Sequence, residues 1–273
     1  MSRISAPSLL IAGAGDVGMR LARLRAGLGH DVIALRRRER PATAGVRDIR
    51  VDLTSGAGFE RVPKRPDAVV FCAAPGKRDE AVYRALFIDG LRRLLDQVDT
   101  PRLLLVSSTA VYGQDAGEWI DESAATIPKA FNGRVLLAAE QEISGHRSGI
   151  VLRLSGIYGP VRETMLQRAR ALEPGRPHWT NRIHADDAAA ALSHLLDMPK
   201  PEPIYLGSDD RPALESDVLA WMRAQEKLPN IAATGGAESG RRISNQRLRD
   251  SGWAPAHADF RSGYLPLLAG AGV

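Results

Sequence analysis

A single cysteine, Cys72, is all that the 273 residues contain. No intramolecular disulfide can form and no Cys/His metal cluster is present, so stability has to come from an apolar core, which a chain of this length can bury. Long apolar runs are lacking too. Nothing approaches the ~18 consecutive apolar residues of a membrane span, so no membrane partner is expected. The opening Met-Ser-Arg-Ile-Ser-Ala-Pro-Ser leads at once into Leu9–Ala12, which is too short for the apolar region of an export signal. A cytoplasmic location is expected. Aromatic residues are scarce at 5%, and the net charge of +5 is spread along the chain with one compact run, Arg36-Arg37-Arg38. A nucleic-acid surface concentrates charge and interleaves it with exposed aromatics. The expected partner is instead a small-molecule substrate, with no nucleic acid.

What is present is an alternation of short apolar runs and helix-like stretches, the pattern of repeated βαβ units. Strands are predicted at Leu9–Ala12, Asp31–Leu35, Ile49–Val51, Ala68–Ala73, Leu103–Ser107, Ile150–Leu154 and Ile204–Leu206. Continuous runs such as Leu103-Leu104-Leu105-Val106 suit parallel strands covered on both faces. Helices are predicted at Val17–Leu28, Glu80–Val98, Arg134–Ser144, Thr164–Ala171, Ala185–Leu196 and Ser216–Gln225. The expected fold is α/β, a Rossmann-type doubly wound parallel sheet of about seven strands with a smaller C-terminal substrate lobe. Residues 1–160 form the cofactor domain, its sheet completed by 183–208. Residues 161–273, mainly 161–182 and 209–273, form the lobe, where prolines and glycines cluster.

Gly13-Ala14-Gly15-Asp16-Val17-Gly18 fits G-x-G-x-x-G between an apolar strand and an amphipathic helix. Gly13 permits the turn, Gly15 admits a pyrophosphate to the backbone and Gly18 lets helix and strand pack closely. The free N–H groups of the helix start and its positive dipole end then face the phosphates. At the end of the second strand, where an NAD site carries a carboxylate for the ribose 2′-hydroxyl, stand Arg36 and Arg37. A guanidinium pairs with a 2′-phosphate, so the expected cofactor is NADP(H) rather than NAD(H), with Arg36 as the first contact.

Further segments fall in a specific order: Asp52-Leu53, Phe71-Cys72-Ala73-Ala74-Pro75, Val106 to Gly113, Arg153 to Pro160, and Arg182-Ile183-His184-Ala185-Asp186-Asp187. With the glycine turn they make the chain resemble an extended or atypical short-chain dehydrogenase/reductase of the NAD(P)-dependent epimerase/dehydratase group. The resemblance implies that Asp52 holds the adenine amino group, that Ala73, Ala74 and Pro75 lie along the cofactor, and that Ser108 hydrogen-bonds the reacting oxygen. Independently, Ser107, Ser108 and Thr109 form a hydroxyl cluster at the C-terminal end of a parallel strand, where open α/β sheets put ligands. The family's Tyr-x-x-x-Lys pair is matched here by Asn132 and Leu136. A tyrosine works as an acid/base when a nearby cation lowers its pKa from about 10, whereas Asn132 does not titrate and Leu136 carries no charge. Asn132 can orient a carbonyl, and the proton then has to come from Tyr112, water or a substrate group.

On the substrate side, Arg162, Met165, Trp179, Asn181 and Arg182 fall in the inserted segment that the resemblance assigns to substrate contacts. Thr109, Trp179, Arg182 and His184 are the candidates carried forward. No metal is expected, because Asp186 and Asp187 point to different faces of a helix and no second histidine completes a set with His184. The expected function is an NADP(H)-dependent oxidoreductase or epimerase-like enzyme for a polar, sugar-like or phosphorylated metabolite. Its rival is an NADP(H)-binding sensor or scaffold without turnover. The resemblance further implies a homodimer through the helices at Glu80–Val98 and Arg134–Ser144.

Overall fold

The computed structural model describes residues 6–146 and 148–270; the first five residues, on which part of the export-signal reading rests, lie outside these. The first half of the chain runs through β1 (Ser8–Ala12), α1 (Asp16–Gly27), β2 (Asp31–Arg36), β3 (Val46–Arg50), β4 (Ala68–Phe71), α2 (Glu80–Arg84), α3 (Leu91–Gln97), β5 (Leu103–Ser108), β6 (Ala116–Ile120) and α4 (Phe131–Ser144). The second half runs through β7 (Gly149–Leu154), β8 (Gly156–Tyr158), α5 (Thr164–Arg170), β9 (His178–Thr180), β10 (Arg182–His184), α6 (Ala185–Asp197), β11 (Ile204–Gly207), β12 (Ala213–Leu214), α7 (Glu215–Gln225), β13 (Ser239–Ile243), α8 (Gln246–Asp250) and α9 (Phe260–Leu268). No helix among the described residues is long and apolar enough to cross a membrane.

Seven strands form one parallel sheet in the order β11-β7-β5-β4-β1-β2-β3. The chain builds outward from β1 through β2 and β3, then returns to lay β4, β5, β7 and β11 on the other side of β1. The order reverses between β1 and β4, the switch point at which a doubly wound sheet opens a crevice beyond its C-terminal strand ends. Leu9–Ala12, Val69–Phe71 and Leu103–Leu105 are almost wholly buried, as expected for central strands covered on both faces. All seven strands expected from the apolar runs are present. The third starts at Val46 rather than Ile49, because this edge strand exposes Arg47, Asp48 and Arg50 and only its apolar end reads as a strand.

The chain divides into two compact units. The first takes in residues to Val111, Pro128–Arg153 and Ala189–Tyr205; the second comprises Tyr112–Ile127, Leu154–Ala188 and the chain from Leu206. The second unit is therefore collected from three segments, and 183–208 is shared. Only Ile204–Gly207 of that stretch enters the large sheet, while Arg182–His184 pairs with Gly156–Tyr158 in a two-stranded ladder. A four-stranded sheet, β12-β9-β13-β6, completes the second unit. Its core joins Tyr158, Ala169, Val218, Leu219, Met222, Phe260 and Tyr264. None of these short strands, nor α8 and α9, stands out in the sequence pattern.

Two buried charges fix the architecture. In the first unit Glu140 of α4 and Arg153 of β7 are 6% and 3% exposed, with guanidinium N–H groups donating to both carboxylate oxygens at 2.7–3.2 Å. In the second, Glu215 at the start of α7 accepts from Arg168 at 2.9 Å and Arg176 at 3.2 Å. Burial alone raises the Glu215 pKa, but these hydrogen bonds outweigh it and hold the carboxyl at about 2. Because the folded value lies below the unfolded one, near 4.5, this stabilisation is present above pH 4.5 and is lost as pH falls towards 2. Thermal unfolding should show a midpoint that drops across that window, with a flatter profile in Glu215→Gln. Arg153→Met strands the Glu140 charge and should cost about 3–5 kcal/mol in denaturant unfolding. Adding Glu140→Leu should recover much of that loss.

Candidate active site

The glycine turn follows from steric necessity. Gly13 lies at φ +89°, and a Cβ there would stand 2.2 Å from the Cα of Ala73 in the loop after β4. Only glycine tolerates both the left-handed backbone and this approach, which presses the turn after β1 against Ala73. A Cβ on Gly18 would meet the Gly13 carbonyl at 3.0 Å and Ile11 at 3.3 Å, the close helix–strand packing anticipated for it. A Cβ on Gly15 would meet nothing within 4 Å. Gly15 is also the N-cap of α1 and offers no side chain to cap it, so the amides of Asp16, Val17 and Gly18 open α1 towards an anion. The Asp16 carboxylate accepts from Arg20 at 2.9 Å.

Arg36 is corrected. Its guanidinium is buried and grips Asp48 of β3 bidentately, Nε to Oδ1 at 2.6 Å and Nη2 to Oδ2. The expected 2′-phosphate contact is therefore already balanced by a carboxylate. The β2–β3 register sets Asp48 beside Ala34, two residues before Arg36 on the same strand face, so the pair meets diagonally across the sheet. Arg37 is exposed instead, and its Nη2 lies 3.9 Å from where a Gly76 Cβ would stand. It also helps to hold the Asp52 pKa below the usual carboxylate range, a shift caused chiefly by the Thr54 hydroxyl at 2.7 Å. Asp52 is thus an ionised acceptor beside a cation at the strand ends. Leu53 turns its side chain into the core and gives its carbonyl to Arg93. Ala74 is exposed and Ala73 and Pro75 half-buried in the loop after β4.

The catalytic candidates separate. Ser107 is corrected: its hydroxyl donates to Glu140 at 2.5 Å inside the core. Ser108 accepts from the Ala110 amide at 3.2 Å, which leaves its own proton for donation. Thr109 begins the short turn Thr109–Val111 and is half-buried. A Cβ on Gly133 would stand 2.2 Å from the Ala110 carbonyl and 2.7 Å from Pro128, so the first turn of α4 rests on the turn that Ser108 opens. Asn132 occupies that first turn with its Oδ1 buried and lacking a hydrogen-bond partner. Leu136, one turn on, is buried. Tyr112 is corrected as an acid/base candidate. It is 2% exposed and its hydroxyl donates to the Asp121 carbonyl at 3.2 Å within the second unit.

The second unit carries an open cavity of about 520 Å³ lined by Tyr158, Arg162, Glu163, Thr180, Arg182 and Tyr264 among others. Arg182 therefore lines a cavity. Trp179 is corrected: it does not line the cavity but donates to Glu238 at 2.8 Å and stacks on the Arg242 guanidinium, which also faces Trp119. His184 packs edge-on to Tyr158 and lies 3.9 Å, centroid to centroid, from His257. His257 is the second histidine the sequence reading missed, since over seventy residues separate the two. Their donor atoms and those of Asp187 lie within 4.8 Å of one another. Asp187 already accepts from the Ala256 and His257 amides and the His257 ring at 2.7–3.1 Å, a tether that satisfies the carboxylate and ties α6 to the segment before α9.

Comparison with known proteins agrees with this framework. The family model described as NAD dependent epimerase/dehydratase matches residues 9–207. The chain belongs to that family. A solved structure assigned by name to an NAD-dependent epimerase/dehydratase of Methylobacillus flagellatus superposes with a TM-score of 0.86 at 36% identity, covering 98% of this chain and 99% of that one. Protein YeeZ of Escherichia coli K12 is 32% identical over 124 residues, 44% of this chain and 45% of YeeZ. The 2′-dehydrokanamycin reductase of Streptomyces kanamyceticus is 29% identical over 212 residues, 69% of this chain and 57% of the reductase. The chain thus spans about half the length of the curated relatives it matches.

This epimerase/dehydratase family member keeps one carboxyl in an unusual state. Asp209 is buried, its Oδ2 has no hydrogen-bond partner, and burial pushes its pKa up to about 8 despite the nearby Arg182. The folded value lies above the unfolded 3.8, so the carboxyl's contribution to stability is complete below pH 3.8 and is lost as pH rises through 8. Asp209→Asn should therefore raise the melting temperature over wild type, with a gap that widens from pH 4 and levels off above pH 8.

Proposed function

We propose that this chain is an NADP(H)-dependent oxidoreductase or epimerase-type enzyme acting on a small polar metabolite, with a site that works without a titrating tyrosine. The observation that carries the reading is the pairing of Ser108, with an undonated proton, and Asn132, with a buried unpartnered Oδ1, on turns packed together through Gly133. The cradle from Gly13 to Gly18, with Asp52 and the loop Ala73–Pro75, fits a dinucleotide, and Arg37 is the residue for a 2′-phosphate. When bound, a nicotinamide cofactor supplies the hydride chemistry. Ser108 donates to the substrate oxygen, and the Asn132 amide orients the same substrate through its unpartnered oxygen and its N–H₂ donor. With the Tyr112 hydroxyl committed to a backbone carbonyl, the proton comes from water or from a substrate hydroxyl.

One observation favours a second reading. Leu136 puts an apolar side chain where a cation would tune an acid/base group, which suits an NADP(H)-binding sensor or scaffold without turnover. Calorimetric titration separates cofactor from no cofactor: NADPH should bind at least ten times more tightly than NADH, and Arg37→Glu should abolish the preference. Binding of neither nucleotide would sink both readings. Turnover assays with the cofactor separate enzyme from sensor. A rate that falls about 100-fold in Ser108→Ala, the scale of losing one oxyanion donor, supports the enzyme, and cofactor binding without any turnover supports the sensor.

A further inference from the structure

The glycine turn after β1 is held from both sides. Its Gly13 and Ala14 amides donate to the Leu35 carbonyl of β2 at 3.2 Å, while Gly13 presses on Ala73 in the loop after β4. β2 and β4 are the two neighbours of β1 in the sheet, so their loops stand about two strand spacings apart, roughly 9.6 Å. Arg37 crosses that gap. It comes two residues after Leu35, and its Nη2 lies 3.9 Å from where a Gly76 Cβ would stand in the loop after β4. No other atom from outside the adjoining residues comes within 4 Å of that point. Gly76 has no left-handed backbone to explain its glycine. What the glycine supplies is the lack of a side chain over the Arg37 guanidinium.

Cations stand unpaired on both sides of the gap. Arg37 and Arg38 after β2, and Lys77 and Arg78 after β4, are exposed and form no hydrogen bond or ion pair with the described residues. The acidic residues of the two loops are engaged elsewhere: Glu39 lies 3.9 Å from Arg50, and Asp79 accepts from the Val82 amide at 3.1 Å at the start of α2. The neighbouring Arg36 shows what a carboxylate in reach does, since Asp48 occupies its fork. A phosphomonoester carries about −1.5 to −2 charges near neutral pH, more than one guanidinium balances.

We propose that Arg37 and Lys77 form a two-loop clamp for the 2′-phosphate of NADP(H), kept open by the bare Gly76 position. The inference rests on the NADP(H) reading above and adds to it two specificity-determining positions, Gly76 and Lys77. Arg38 shares the Arg37 side of the gap, so the second cation comes from the facing loop, where Lys77 adjoins the residue that Arg37 reaches. Arg37 supplies a planar fork for two phosphate oxygens, and Lys77 a compact point charge that needs no fixed geometry. Together they balance the dianion. Both cations are exposed, so the clamp weakens as salt rises. A carboxylate at position 76 would pair with Arg37 as Asp48 pairs with Arg36, and it would close the clamp.

The test uses the full chain, with NADPH, NADH and the fragments 2′,5′-ADP and 5′-AMP titrated by calorimetry. Lys77→Ala should weaken NADPH and 2′,5′-ADP about tenfold, the scale of one charge-assisted hydrogen bond, and leave NADH and 5′-AMP unchanged. Lys77→Arg should restore most of the loss. Gly76→Asp should weaken NADPH by at least as much, with little change for NADH. Gly76→Ala, whose methyl group makes only ordinary contact, should bind NADPH as wild type does. Undiminished NADPH affinity in Lys77→Ala or in Gly76→Asp would overturn the clamp. So would equal losses of NADPH and NADH in Lys77→Ala, which would put Lys77 on the pyrophosphate, or a Gly76→Ala protein as impaired as Gly76→Asp, which would make the effect one of bulk. If wild type binds neither nucleotide, the cofactor reading itself fails, an outcome separate from a clamp that fails in a protein that prefers NADPH.

Discussion

Glu140 of α4 is buried in the first unit, where two neighbours converge on its carboxylate: the Arg153 guanidinium from β7 and the Ser107 hydroxyl from β5. An isolated buried charge would cost several kcal/mol. The bidentate arginine and the serine proton turn that liability into a rigid link between two strands and a helix. The consequence reaches the chemistry, because α4 then starts against the Ala110 turn, with Gly133 as the only residue type that permits the approach. Ser107 is thereby removed from ligand contact, while Ser108 and Asn132 are delivered to the C-terminal end of the sheet.

A second constraint is the absence of side chains. At Gly13 the chain turns so close to Ala73 that any Cβ would overlap the backbone. That contact aligns the turns after β1 and β4, the two strands flanking the reversal of strand order. The open space before Gly15 and the uncapped start of α1 are what remain when those turns are pressed together. The cradle is therefore a product of packing as much as of the glycine spacing.

The sequence made the large sheet legible because parallel strands buried on both faces leave continuous apolar runs, as at Leu103–Leu105 and Val69–Phe71. The small unit was illegible for the opposite reason. Its strands are two to five residues long, Gly117 and Gly240 interrupt them at positive φ, and Pro266 inside α9 argues against a helix that the Asp259 capping box nonetheless starts. At the site, spacing pointed to the glycines, and the family resemblance pointed to Asp52 and Ser108. Arg36 was misread because its partner Asp48 lies on the neighbouring strand, twelve residues on, and register is a three-dimensional fact. Tyr112 was misread because a tyrosine after a hydroxyl cluster looks available until the Asp121 carbonyl is found on its hydroxyl. His257 and Tyr264 carry no motif at all, and only the fold brings them to His184 and Arg182.

Arg36 is committed to Asp48, and Arg37 beside it is the residue proposed for the cofactor's 2′-phosphate. A crystal structure of the protein with NADPH tests it most directly. The 2′-phosphate should lie within hydrogen-bond distance of the Arg37 guanidinium, with Arg36 still paired to Asp48. A structure in which Arg36 leaves Asp48 for the phosphate, or in which the glycine turn holds no pyrophosphate, would contradict it.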